Sequence, residues 1–258
     1  MLISQSKLSG YLEQKYREYN NPAFIESDPI AVPHSFNKKE DIEIAGFLTA
    51  TLAWGNRKSI LQNARHLMRM MDNRPCHFLT EASRQEMNPF NSFVHRTFNG
   101  TDCRFFLESL RNIYLNHGGL ENQFVKINDL GVKESIRLFR RTFLEAKHER
   151  RSEKHISDPA KGSPAKRINL FLRWMVRNDN QGVDFGLWKR VNPANLICPL
   201  DVHVARVARS LGLLTRKTND WNAAEELTVN LRKFDSADPV KYDFALFGIG
   251  VKKEIFSL

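Results

Sequence analysis

An all-α fold is predicted, on three observations. Apolar residues recur at helical spacing in one segment after another. Nowhere does a period-2 alternation stand between turn signals. The strongest breakers, Asn20-Asn21-Pro22, Gly55-Asn56 and His117-Gly118-Gly119, fall between those segments, at connection lengths usual for packed helices.

In order, residues Lys7 to Tyr19 read as an amphipathic helix carrying Leu8, Tyr11, Leu12 and Tyr16. Pro22, Pro29 and Pro33 make the next segment, to Asn37, an ordered extended connection. Lys39 to Ala53 is a buried helix, apolar on most sides through Ile42, Ala45, Phe47, Leu48 and Leu52. Arg57 to Met71 follows with the stripe Ile60, Leu61, Ala64, Leu67, Met68 and Met71. Pro75 and Pro89 bracket a short helix, and Phe90 to Phe98 is aromatic. Phe105 to Leu115 is a helix closed by the glycine pair, Leu120 to Val125 is short, and Val132 to Arg150 is read as one long helix.

The totals narrow the function. The chain of 258 residues is long enough for one domain of two lobes. No apolar run approaches the roughly 20 residues that span a bilayer, so no membrane is expected. Met1 to Lys7 lacks the basic start and apolar core of a signal peptide, and a cytoplasmic, nucleoid-associated location is expected. Cys76, Cys103 and Cys198 lie far apart, without zinc spacing and too few for an iron–sulfur cluster, and are read as reduced and buried. No His/Glu pair has helical metal spacing, so neither metal nor cofactor is expected.

The net charge of +10 is unevenly placed. From Arg140 to Lys217 there are 17 Lys+Arg and 7 Asp+Glu, a net of +10, and the remainder of the chain holds 22 of each. A polyanion is the natural partner for such a window, because neutralised phosphates release counterions. A solvated basic surface is the plainer alternative.

Two helix starts lie inside that window. Ser163 suits an N-cap with Pro164 at the first helical position, which puts Lys166 in the first turn of a helix anchored by Ile168, Phe171, Leu172 and Met175. The positive field of a helix start, with partial burial, favours the neutral amine that Schiff-base chemistry needs. An exposed lysine beside a loop is the alternative, and Lys161 is a second, less favoured amine. The other start is Pro199-Leu200-Asp201, where Asp201 is a strong N-cap and Val204, Val207, Ala208 and Leu211 form the buried face. Capping alone accounts for Asp201, yet one oxygen of a capping carboxylate can stay directed outward. The two starts are expected to face each other across a cleft, with amine and carboxylate within about 4–8 Å.

Pro199-Leu200-Asp201-Val202-His203-Val204-Ala205-Arg206-Val207-Ala208 resembles the Pro-Val-Asp signature of the helix-hairpin-helix DNA glycosylases, whose aspartate is catalytic. Lys166-Arg167-Ile168-Asn169-Leu170-Phe171-Leu172 is similar to the segment holding the nucleophilic lysine of the bifunctional members, above all the archaeal 8-oxoguanine glycosylases. Ala45 to Trp54 and Asp243 to Gly250 extend the likeness weakly, and the whole chain is more closely similar to a bacterial family placed beside those enzymes. Two features depart from the pattern. The hairpin consensus is replaced by Asp158-Pro159-Ala160-Lys161-Gly162-Ser163-Pro164, and the cluster-ligating cysteines are missing.

The resemblance implies a two-lobed glycosylase-like fold, with a central lobe of roughly residues 40–155 and a second lobe from the N-terminal segment plus roughly 156–258. It implies base-excision repair of an oxidised base in duplex DNA by a monomer, through Lys166 and Asp201, with strand cleavage by β-elimination as a further step. Arg167, Arg173, Lys189, Arg190, Arg206 and Arg209 are the expected phosphate contacts. His203 is either a helix-surface residue or a hydrogen-bonding neighbour of the site. Trp54, Phe98, Trp174, Trp188 and Phe247 are candidate walls for an extruded base. The competing class is a nucleic-acid-binding protein that keeps the fold without the activity. A basic scaffold is a third option.

Overall fold

The computed structural model describes residues 4–252. The start Met1 to Ile3, part of the stretch read for a signal peptide, lies outside them. Among the described residues every regular element is helical, and one isolated antiparallel bridge joins His95 to Phe98. The α-helices are α1 (Gln5–Tyr19), α2 (Ala23–Ser27), α3 (Lys39–Leu52), α4 (Arg57–Met70), α5 (Pro75–Glu81), α6 (Gly100–Asn116), α7 (Gly119–Phe124), α8 (Ile127–Phe143), α9 (Lys166–Val176), α10 (Val202–Ser210), α11 (Trp221–Arg232) and α12 (Tyr242–Lys252). None is long and apolar enough to cross a membrane among the described residues.

The chain forms two compact units, Ile25–Asp158 and Met1–Phe24 with Pro159–Leu258. The first begins well before residue 40. The segment expected to be extended instead makes 3₁₀ turns at Pro29–Ala31 and Pro33–Ser35, which pack on α3 with Ile30 and Val32 buried. Asp28 caps the first turn by accepting from the Ile30 amide at 3.1 Å. The core of this unit is a phenylalanine cluster. Phe47 of α3 meets Phe106 of α6 and Phe139 and Phe143 of α8 at centroid separations of 6.1, 5.6 and 5.6 Å, mostly edge-on or tilted, as ring quadrupoles prefer.

The helix expected over Val132 to Arg150 begins earlier and ends sooner. It starts at Ile127, kinks at Gly131 (φ 77°, ψ 167°) and ends at Phe143. Beyond it, Arg140 draws the chain back. Its guanidinium donates to the Glu153 and Ile156 carbonyls at 3.1 and 2.8 Å and to the Glu153 carboxylate at 2.7 Å, and Arg150–His155 closes as a 3₁₀ turn.

The other unit is built around α12, the most apolar helix, against which α1 and α10 pack. Close approach is allowed by missing side chains. A Cβ on Gly248 would fall 2.2 Å from the Tyr19 ring, and one on Gly250 would fall 3.0 Å from the Cβ of His203. On α10, Val204, Val207 and Ala208 are buried, while Val202, His203 and Arg206 face solvent.

Candidate active site

Lys166 and Asp201 belong to the same unit, and the two helix starts bring them together. The Lys166 Nζ lies 3.9 Å from Asp201 Oδ2, with the two side chains 24% and 20% exposed. Asp201 uses its oxygens separately. Oδ1 accepts from the amides of His203 and Val204, both at 2.9 Å, as the cap of α10, and Oδ2 faces the amine. The carboxylate is thus fixed by the backbone before it meets any cation.

The start of α9 differs from the one expected. Ser163 and Pro164 stay outside the helix, and Ala165 is the N-cap, left-handed at φ 47° and fully buried. Ser163 Oγ accepts from the Ala165 amide at 3.2 Å, and Asn169 Nδ2 donates to the Pro164 carbonyl at 3.1 Å. Asn169 lies one turn after Lys166, and its buried Oδ1 has no hydrogen-bond partner among the described residues. Lys166 is therefore the first helical residue, with no side chain capping the amides around it.

Behind the pair runs a buried ionic ladder. Arg173, two turns along α9, donates from Nη1 to Asp243 Oδ2 at short range, and its Nη2 and Nε lie 3.2 and 3.3 Å from Asp184 Oδ1. Its guanidinium sits 4.2 Å over the Phe244 ring. One turn further, Arg177 takes Asp184 Oδ2 at 3.0 Å, Asp238 at 2.8 Å, Asp179 at 2.6 Å and the Tyr16 hydroxyl at 2.7 Å. Burial raises the Asp243 carboxyl to about 6 against the opposing pull of Arg173, with Asp201 raising it further and Lys166 lowering it. Burial, with the Asp243 charge beside it, drives the Cys198 thiol well up, so it is no nucleophile at neutral pH.

The six expected phosphate contacts divide. Lys189, Arg190 and Arg206 are exposed, with Arg206 also donating to the Gly250 carbonyl at 2.7 Å. Arg167 is partly exposed by surface, but its guanidinium is sunk deeply enough that burial lowers it to about 10, still charged at neutral pH. Arg209 is committed elsewhere. It donates to the carbonyls of Arg216 and Lys217 at 2.8 and 3.0 Å and to Asn219 at 2.6 Å, and so holds the loop before α11. Arg173 is a correction: it is 3% exposed and neutralised from both sides, so it contacts no phosphate. The basic window is accordingly less basic at its surface than its composition suggests. His203 is exposed, beside the Asp201 cap. Of the candidate base walls, Trp174 and Trp188 are core residues with no exposure, and Phe98 has 1%.

Asp243 and Asp184 carry the electrostatics behind the pair and drew no role from sequence. The available signal for Asp243 was a single acid opening an otherwise apolar helix, Tyr242-Asp243-Phe244-Ala245-Leu246. A lone carboxylate there either caps or meets a buried cation. Among the described residues no group of three or more His, Cys, Asp or Glu is placed to hold a metal ion.

No curated protein and no solved structure matches this chain. A family described as "Protein of unknown function (DUF2400)" matches residues 28–252, which covers both helix starts, Arg173, Arg177 and their carboxylates, and the chain belongs to that family.

Proposed function

We propose that this protein is a DNA glycosylase of base-excision repair, with a helix-hairpin-helix glycosylase-like fold, acting on an oxidised base through Lys166 and Asp201. The observation that carries this reading is the pairing of a part-exposed amine with a backbone-fixed carboxylate at 3.9 Å. A protein that only binds nucleic acid has no need of that pair.

The chemistry follows from the two groups. Cleaving an N-glycosidic bond builds positive charge on the sugar, and in this reading Asp201 Oδ2, held by the α10 cap, stabilises that charge without reorganising. Lys166, once it has given up a proton to solvent or to Asp201, forms a bond from Nζ to C1′ as the bond from C1′ to the base breaks, and the base leaves with its electron pair and takes up a proton. The sugar ring then opens to an imine. Loss of a C2′ proton and of the 3′ phosphate cleaves the strand by β-elimination, and water releases the lysine. The base has to leave the stack to be reached. Lys189, Arg190 and Arg206, all exposed, are the side chains this reading assigns to the phosphates.

Borohydride trapping on duplexes containing 8-oxoguanine or an abasic site tests the reading. A covalent adduct is expected with the wild-type chain, absent in Lys166→Ala and strongly reduced in Asp201→Asn. Duplex binding that proceeds without an adduct and is indifferent to Asp201→Asn assigns the protein to the binding class instead.

A further inference from the structure

We infer that the exposed face of α4 is a second nucleic-acid contact surface, carried by the unit Ile25–Asp158 and suited to a sugar–phosphate backbone. Lys58, Gln62, Arg65 and Arg69 follow one another at steps of four, three and four residues, and all are exposed. On an α-helix that spacing keeps them within about 60° of arc and lays them in a row about 16 Å long. From Trp54 to Met71 the chain carries four cations and no acid. Arg96, also exposed, adds a charge at the Lys58 end of the row, since a Cβ on Gly55 would fall 2.5 Å from its Nη1. The segment bearing Arg96 is held beside α4. Asn63 donates from Nδ2 to His95 Nδ1 at 2.8 Å, and His66 stacks on Phe93 with ring centroids 6.2 Å apart.

The fold makes no use of these charges. The side chains of Lys58, Arg65, Arg69 and Arg96 have no ion pair, hydrogen bond or ring contact among the described residues. Upstream, Asp41 accepts from the Cys76 amide at 2.8 Å, and Glu43 accepts from the Tyr114 hydroxyl at 2.7 Å. Downstream, Asp72 lies beyond the helix end and pairs with no cation among the described residues. The helix dipole rewards Arg69 in the last turn, but it opposes Arg57 and Lys58 in the first. The window from Arg140 to Lys217 is the reverse case. There Arg140, Arg151, Arg173, Arg177 and Arg216 each face a carboxylate. Composition thus puts the basic excess in one segment, and ion pairing leaves unneutralised cations in another.

The kind of partner follows from what the row lacks. It is one side chain wide and contains no apolar residue, so it has no anchor of the sort that holds a protein partner. The apolar stripe of α4, Ile60, Ala64, Leu67 and Met68, is spent on the core, which leaves nothing to insert into a lipid surface. Phosphates need only the cations, and such contacts hold a strand without reading its sequence. The surface does not depend on the chemistry of Lys166.

The test is binding of the full chain to a lesion-free duplex of about 20 base pairs, followed by fluorescence anisotropy across a range of salt. The triple variant K58Q/R65Q/R69Q is expected to lower the slope of log K against log salt by about 2–3, and to weaken binding at low salt by at least about tenfold. The triple K126Q/K133Q/R141Q removes the same charge from exposed positions on α8 and its N-cap, and is expected to keep the wild-type slope. A wild-type slope in the first triple overturns the inference, and so do equal losses in the two, because net charge alone then accounts for binding. Should the first triple lose its helical circular dichroism, the single variants K58Q, R65Q and R69Q carry the test, each expected to lower the slope by about one. Lost binding to phosphatidylserine vesicles or to polyglutamate, with duplex binding intact, overturns the inference in favour of a lipid or an acidic protein. A lowered slope without any borohydride-trapped adduct leaves the inference standing and removes the repair reading, and adducts with an unmoved slope do the reverse.

Discussion

The amide of Trp221, the first residue of α11, donates to the carbonyl of Gly162 at 3.0 Å. That bond fixes the connection preceding α9 to the start of another helix, four residues before Lys166. Lys166 is thus held from outside its own helix, through a loop that carries Gly162 at φ 85°.

Gly162→Ala meets no steric contact, since nothing lies within 4 Å of an added Cβ, and the change isolates the backbone conformation. A left-handed alanine costs about 1–2 kcal/mol. Gly10→Ala, in the right-handed helix α1 and equally uncrowded, is expected to gain about 0.5–1 kcal/mol. Urea denaturation of the two variants reads opposite signs if the loop conformation is held as described.

Asp201 separates capping from charge. Asp201→Ala removes the acceptor for two amides and is expected to lose about 1 kcal/mol, whereas Asp201→Asn keeps a side-chain acceptor and stays within a few tenths of wild type. Adduct yield is expected to fall in both. Thermal unfolding alongside borohydride trapping shows whether stability and chemistry part in this way.

Arg177 is the centre of the largest buried charge group, with no exposed surface. Arg177→Met leaves Asp179 and Asp238 without their cation and Asp184 with Arg173 alone, and a loss of about 3–5 kcal/mol is expected. Chemical denaturation measures it. A loss under 1 kcal/mol shows that water or proton uptake compensates the acids.

The pH dependence has a definite sign. Asp243 has a folded value of about 6 against an ordinary 3.8, so between those values the native state binds more protons than the unfolded chain. Stability therefore rises as pH falls from about 6 toward 4, through this group. Asp179 works oppositely: burial disfavours its charge, but Arg177 and its hydrogen bonds outweigh burial and hold it below 3.8, so its contribution disappears only at more acid pH. Unfolding free energies at pH 4 and pH 7 for wild type and Asp243→Asn check this, because the difference between the proteins has to change across that interval.

Legibility in the sequence followed the range of the interactions. Asp201 as a cap and the buried face of α10 rest on contacts within one or two turns, and both are as read. The start of α9 was misplaced by local cues, since Ser163-Pro164 is a good opening in isolation. The left-handed turn at Ala165, backed by the Trp221 tether, overrides it. Sequence alone puts Arg173 among the surface cations because its partners Asp184 and Asp243 lie 11 and 70 residues away, beyond any helical spacing that reports a neutralising charge. Likewise the helix read through Arg150 ends at Phe143, where Arg140 folds the following chain back on itself.

Ala165 imposes a discontinuity on α9. An ordinary helix gains or loses a residue at its N-terminus with little change in energy, and the first turn frays. Here one more residue at that end means turning Ala165 from left- to right-handed while its methyl stays enclosed, so the boundary is all-or-none. Position 166 is on that account a fixed address: a lysine moved by one residue in either direction would leave the carboxylate of Asp201 facing a different side chain.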